Sequence, residues 1–270
     1  MCTISLPVLN ILAWVLHAIN ALLILCFTVF GVVVERRNVI TTTYQYTTWN
    51  NGTLAQEYVD AYDIHISWLM FAFSALSWGF QMYAGFFLPN YIGYVSKGRR
   101  RRQIAQTHPL RFVEYAISAP IMFVGISLLS GIRNAHLLAA LAVLVSVTMG
   151  CGLVAEYALE KSMNGDNGMY VVAWIAHLTG WLGVSTAYGI LFATTNIVLN
   201  SGVSEGPPAF VWVIIIFQFL AFMSFGFVQF AQLMIRDVDT ERAEQAYIML
   251  SLIAKTQLTW NIFFSVLVDV

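Results

Sequence analysis

The sequence predicts an all-α integral membrane protein, one domain of seven transmembrane helices over residues 1–270, and three observations carry that prediction. Of the 270 residues 59% are hydrophobic and only 10% charged, with a mean hydropathy of +0.73, which lies outside the range of soluble globular domains. Seven segments, at roughly 8–34, 64–88, 109–131, 136–159, 170–199, 209–235 and 244–268, are long and apolar enough to cross a hydrocarbon layer of ~30 Å. The loop lysines and arginines divide unequally between the two sides those spans define.

The first span starts a few residues after Met1 without a basic leader or a small-residue cleavage site, so it reads as a retained helix and not a signal peptide. Asn10, Trp14 and His17 share one of its faces. The connection at roughly 35–63 is the long one. Its run from Val39 to Trp49 is rich in β-branched and aromatic residues and is followed by Asn51-Gly52, so a small β-hairpin is expected over the outer face. Asn51-Gly52-Thr53 is also a glycosylation sequon. Ser67, Ser74 and Trp78 follow one face of the second span, and His177, Trp181, Ser185 and Tyr188 one face of the fifth. Glu156 falls near the end of the fourth span, where a solvated helix-end carboxylate is expected.

Lys97, Arg99, Arg100, Arg101, Arg102, Lys161, Arg236 and Arg242 lie on one side, against Arg36, Arg37 and Arg133 on the other. Eight against three places the amino terminus in the cytoplasm and the carboxyl terminus outside. The basic run in the second loop reads as a topology anchor, with anionic lipid headgroups as a secondary reading. Cys2, Cys26 and Cys151 imply no disulfide framework. Both tails are short, so a signalling partner is expected to engage the cytoplasmic loops or the lipid-facing surface.

Lys255 stands in the middle of the seventh span, roughly 16 to 20 Å from either end at 1.5 Å per residue. An ammonium at that depth costs on the order of 3 kcal/mol or more, so it needs a partner or must cease to be a free ammonium. Condensation with an aldehyde to a Schiff base does the latter; a purely structural ion pair is the alternative. Arg111, Glu114 and Ser118 are spaced i, i+3, i+7 on one face of the third span, with Glu114 roughly 7 Å to the cytoplasmic side of the midplane. Glu114 is within reach of a lysine-based cation on the seventh span, and an end pair with Arg111 is its alternative. A protonated Schiff base in an apolar site keeps its proton only beside an anion, and that anion also shifts the absorption of a conjugated cation. Aromatic residues at 14% suit a rigid slot around a flat polyene and equally suit an interfacial belt.

The run Tyr247-Ile-Met-Leu-Ser-Leu-Ile-Ala-Lys-Thr-Gln-Leu-Thr-Trp260, together with Arg111-Phe-Val-Glu-Tyr-Ala-Ile-Ser118, resembles the heliorhodopsins, retinal proteins with a membrane orientation inverted relative to ordinary microbial rhodopsins. The resemblance extends over all seven spans, the inverted charge bias and the long first outside loop. It implies a photoreceptor with all-trans retinal on Lys255 as a protonated Schiff base, Glu114 as counterion, and Tyr115, Ser118, Ser74, Ser224 and His17 around them. Trp78, Trp181 and Phe225 complete the expected retinal site. It also implies a homodimer with the first outside loop at its interface, in the cell membrane. Trp78 departs from the family, which has a cavity histidine there, and so removes the usual partner of His17. Ala119 and Pro120 depart as well, and Pro120 predicts a kink just beyond Ser118. Divergent members from giant viruses are associated with passive proton conduction.

A light-driven pump needs a proton acceptor and donor on opposite sides of the Schiff base. Beyond Ser118 the third span offers Ile121, Met122 and Gly125, and beyond Lys255 the seventh offers Thr256, Gln257, Thr259 and Asn261, which disfavours a vectorial pump. A light-gated proton or cation conductance is the alternative to a sensor, with Glu156, Glu205 and Asp269 at its mouths. The third reading is a retinal-free transporter with a Lys255-Glu114 ion pair. No nucleophile-base set or metal-ligand spacing occurs among five histidines and three cysteines, so neither an enzyme nor a nucleic-acid partner is expected.

Overall fold

The computed structural model describes residues 5–50, 52–87, 109–201, 208–235 and 240–268. Cys2, Asn51, Lys97, Arg99 to Arg102, Glu205, Arg236 and Asp269 lie outside the described residues. Seven long helices follow one another: α1 (Leu6–Val29), α2 (Ile66–Phe87), α3 (Pro109–Leu129), α4 (Ala135–Met163), α5 (Asn167–Asn200), α6 (Ala209–Met234) and α7 (Thr240–Ile262). A π-helical turn, Phe263–Leu267, ends the last of them. α1 and α3 to α6 are each long and apolar enough to cross a membrane. α2 and α7, of 22 and 23 residues, fall outside that set, and each carries polar side chains. Those polar residues point inward: Ser67, Ser74, Ser77 and Gln81 on α2, and Glu244, Ser251, Lys255 and Thr259 on α7, are all buried. α2 and α7 therefore turn their polar side chains to the interior.

The outer faces are apolar as well. Leu12, Leu16 and Ile19 on α1, Ile175, Leu178 and Leu182 on α5, and Val213, Ile216 and Leu220 on α6 are exposed, the pattern expected where the solvent is lipid. Ser185 also faces outward, contrary to the stripe expected on α5. The reason is the helical pitch: with 100° per residue, Val184 and Tyr188 stay within roughly 20° of His177, whereas Ser185 lies roughly 80° away.

Short connections between α3 and α4 and between α4 and α5 make these helices antiparallel neighbours. The Asn134 side chain caps α4 by accepting from the Leu137 N–H at 3.0 Å. Pro120 stands inside α3, which nevertheless continues as one helix to Leu129. A proline at 120 leaves the Ala116 carbonyl without its helical donor. The Ser146 hydroxyl of α4 donates to that carbonyl at 2.8 Å, so the defect in one helix is repaired by its neighbour. Ser146→Ala is expected to lower stability by about 1 kcal/mol, read as a reduced unfolding midpoint in detergent.

The first loop forms the expected hairpin: after one helical turn, Glu35–Asn38, β1 (Val39–Asn50) pairs antiparallel with β2 (Thr53–His65). Gly52 has φ +82°, the left-handed backbone that the second residue of such a two-residue turn requires. Thr41 pairs with Asp63 and Thr43 with Asp60, so β2 bulges opposite Thr42. The buried Thr42 hydroxyl donates to the Tyr62 carbonyl at 2.7 Å and fills the irregularity. The hairpin is tied to the bundle where α3 and α7 end. The Thr43 N–H donates to the Arg133 carbonyl at 2.8 Å, Tyr44 packs on His136 at 4.9 Å, and the Val34 N–H donates to Leu267 at 2.8 Å. Beneath it the core is apolar and tightly filled, with Phe73, Phe123, Ile126, Leu141, Ile214 and Leu258 all buried.

Candidate functional site

Lys255 on α7, Glu114 on α3 and Ser77 on α2 meet in the bundle interior. The Lys255 ammonium bonds both the Glu114 carboxylate and the Ser77 hydroxyl, and the Lys255 and Glu114 side chains are each only 4% exposed. The Ser77 hydroxyl donates to Glu114 Oε1 at 2.6 Å, closing a triangle of cation, anion and hydroxyl. Ser118 Oγ lies 3.4 Å from the same oxygen. The Tyr115 ring centroid is 5.3 Å from Lys255 Nζ, and its hydroxyl donates to the Tyr247 carbonyl at 3.2 Å. Pairing is what permits two such charges at this depth, since either one alone would be a buried unpaired ion.

Arg111 shares the face of Glu114 but takes other partners. Its guanidinium bridges Glu156 of α4 and Glu244 of α7 and lies 4.0 Å over the Tyr247 ring. Glu156 is thus not the solvated helix-end carboxylate expected: its side chain is 10% exposed. α4 continues to Met163, so Glu156 sits about two turns inside the helix and faces Arg111 across the bundle.

A cavity of about 350 Å³ opens directly at Lys255, lined by Tyr115, Ser118, Ala119, Met122, Met149, Phe222, Phe225, Ser251 and Ala254. A second, of about 570 Å³, shares Tyr115, Met149, Phe222 and Phe225 with it and reaches Trp181, Val184, Gly226, His177 and Gln229. Gly226 is needed here, because a Cβ at that position would come 2.7 Å from the Trp181 ring. A third, of about 340 Å³, is the most polar of the three and joins Glu114 to Arg111, Glu244, Asn10 and Gln81, with Phe80, Leu110 and Ile248 also on its walls. The lining of the first two suits a long, flat, apolar group attached to Lys255: one amine, with aromatic and methionine walls beside it.

The other expected site residues are distributed unevenly. Phe225 and Trp181 stand on the cavity walls. His17 and Ser74 are fully buried, and Trp78 is half-buried, but none of the three hydrogen-bonds Lys255 or Glu114 among the described residues. Ser224 turns back on its own helix, donating to the Leu220 carbonyl at 2.7 Å, and lines neither of the two apolar cavities. Ser77 and Glu244 were not singled out by sequence. Ser77 lies on the inward face that Ser67 and Ser74 already mark, and Glu244, three turns before Lys255, reads in sequence as the boundary of its span.

Two solved structures show how the helices are arranged. The crystal structure of Exiguobacterium sibiricum rhodopsin aligns with a TM-score of 0.65 and 13% identity, covering 96% of this chain and 95% of that one. The structure of a light-driven proton pump LR (Mac) from Leptosphaeria maculans aligns with a TM-score of 0.53 and 14% identity, covering 98% and 97%. At such identities these likenesses establish a shared fold and nothing about activity. No curated protein sequence matches the chain. The family model for heliorhodopsin matches residues 6–267, from the start of α1 to the end of the π-helical turn, and the chain belongs to the heliorhodopsin family.

Proposed function

We propose that this retinal-binding photoreceptor carries all-trans retinal on Lys255 as a protonated Schiff base, with Glu114 as counterion, and signals by a light-driven change in its helices. The observation that carries the reading is the buried Lys255-Glu114-Ser77 triangle standing at the entrance of an apolar, aromatic-walled cavity. Retinal supplies the absorption of visible light and an isomerisation. The chain supplies the anion, the hydroxyl and the walls. An ammonium has three N–H groups and a protonated imine one, so on linkage the nitrogen keeps a single donor. Glu114 takes that donor as the charged partner, and Ser77 continues to donate to the same carboxylate. In the proposed topology the amino terminus is cytoplasmic, and two copies associate through the first outside loop in the cell membrane.

The test is the visible spectrum of protein reconstituted with all-trans retinal, beside Glu114→Gln. A band in the parent that moves to longer wavelength, or to the ultraviolet as the Schiff base loses its proton, supports the assignment. An unmoved band removes Glu114 as counterion. No band in the parent, with protein folded and retinal supplied, leaves the retinal-free ion-pair transporter. Ser77→Ala is expected to move the band in the same sense as Glu114→Gln but less, because it removes one neutral donor and keeps the charge.

The polar cavity between Glu114 and the Arg111 cluster favours a second reading, a light-gated passive proton or cation conductance. It runs from the site toward the end of the bundle where α3 and α7 begin. On the opposite side Phe73, Phe123, Ile126 and Leu258 are buried and apolar, with the buried polar side chains of Asn20, Gln218 and Thr259 among them. The apolar residues there favour the sensor over a continuous polar path. A photocurrent reversing with the proton gradient in a voltage-clamped cell would establish conductance; no current at any voltage would leave sensing.

A further inference from the structure

We propose that His177 is a positioning residue of the chromophore cavity: it holds the Trp181 ring as a fixed wall and thereby sets the absorption of the bound chromophore. The inference rests on the retinal reading above and concerns residues that line the second cavity and not the one at Lys255.

The Trp181 indole N–H donates to His177 Nε2 at 2.8 Å, and His177 Nδ1 lies 3.0 Å from Gln229 Oε1. Gln229 in turn donates its amide N–H to the Gly152 carbonyl at 2.8 Å. An indole nitrogen only donates, so Nε2 must present its lone pair and the ring proton must sit on Nδ1. Nδ1–H then donates to Gln229 Oε1, which orients the amide so that its NH₂ faces Gly152. One tautomer and one amide orientation satisfy every bond in the chain. A proton on Nε2 would set a second donor against the indole, so the bond to Trp181 exists only with a neutral imidazole.

This chain spans three helices, from Trp181 and His177 on α5 to Gln229 on α6 and Gly152 on α4, and His177 is 3% exposed. Its outcome is the placement of Trp181. The ring lies against Gly226 with no room for a Cβ there, packs edge-on to Phe227 at 5.2 Å, and forms part of the cavity wall. Without an acceptor the partly buried indole N–H would be unbonded, and the ring would leave this rotamer to find one. A chromophore packed against that wall reads such a move as a change in its surroundings. His177 therefore acts on the chromophore through Trp181.

The test is the absorption maximum of retinal-loaded parent, His177→Leu, His177→Gln, Trp181→Phe and the His177→Leu/Trp181→Phe double variant. His177→Leu is expected to move the band. His177→Gln should restore it toward the parent position, because its amide oxygen accepts the indole N–H. In the Trp181→Phe background the histidine replacement should move nothing further, since the group it holds is gone. A band unmoved by His177→Leu, or shifts that simply add in the double variant, would overturn the inference while leaving the retinal site intact. A parent without any visible band overturns the retinal reading and this inference with it. Should His177→Leu fail to fold, Gln229→Leu, which frees the imidazole tautomer, is expected to move the band, and a silent Gln229→Leu counts against the proposal.

Discussion

Replacing Lys255 with alanine is expected to abolish the visible band completely. Lys255 carries the one amine among the described residues lining the 350 Å³ cavity, and only an amine condenses with the aldehyde to an imine, so without it retinal has no Schiff-base linkage and no conjugated cation forms there. The replacement also strands Glu114, whose carboxylate loses its cation in a site only 4% exposed. That second effect threatens folding, because removing one partner of a buried pair costs about 3–5 kcal/mol. The informative variant is therefore Lys255→Ala combined with Glu114→Gln, which removes both charges and keeps an amide near the Ser77 hydroxyl. Intact mass after borohydride reduction provides the second readout: the parent retains the retinal mass, and the double variant does not. A visible band or a retained adduct in the double variant would place the linkage elsewhere.

Arg111→Met is expected to be the most damaging replacement away from the chromophore. It leaves Glu156 and Glu244 facing each other in the interior without the cation that bridges them. Loss of one partner of a buried charge cluster costs about 3–5 kcal/mol. The unfolding midpoint of the purified protein should fall accordingly, and Glu156→Gln in the same chain should recover part of the loss by removing one of the two repelling charges. A loss under about 1 kcal/mol would mean that the cluster behaves as an exposed surface pair does. The pair of outcomes also bears on function, since Arg111 and Glu244 line the polar cavity that leads to Glu114.

Much of this molecule is legible in one dimension because the bilayer imposes a one-dimensional rule. A stretch of some twenty apolar residues has to be a helix there, and five of the seven long helices meet that rule, while α2 and α7 fall in segments read as spans although they are less uniformly apolar. The hairpin was legible for a different local reason, an Asn-Gly turn after a β-branched and aromatic run, and Gly52 adopts the backbone that turn requires. Lys255 and Glu114 stood out because a charge inside an apolar run needs an explanation that a charge in a loop does not.

What sequence by itself determined about this protein was therefore the inventory: seven helices, one hairpin, and two charges buried too deep to be solvated. Only the tertiary structure decided who meets whom. Arg111 and Glu114 lie on one face, yet they bind different partners, Glu156 and Glu244 for the first and Lys255 for the second. Ser77 joins the site while Ser74, one turn away, does not bond it, and Ser185 leaves the inner stripe of α5 altogether. The physical reason is the coarse step of a helix: each residue turns the chain by 100° and raises it by 1.5 Å. Partner choice is settled by rotations and crossings finer than that step, and these are set by packing across all seven helices at once.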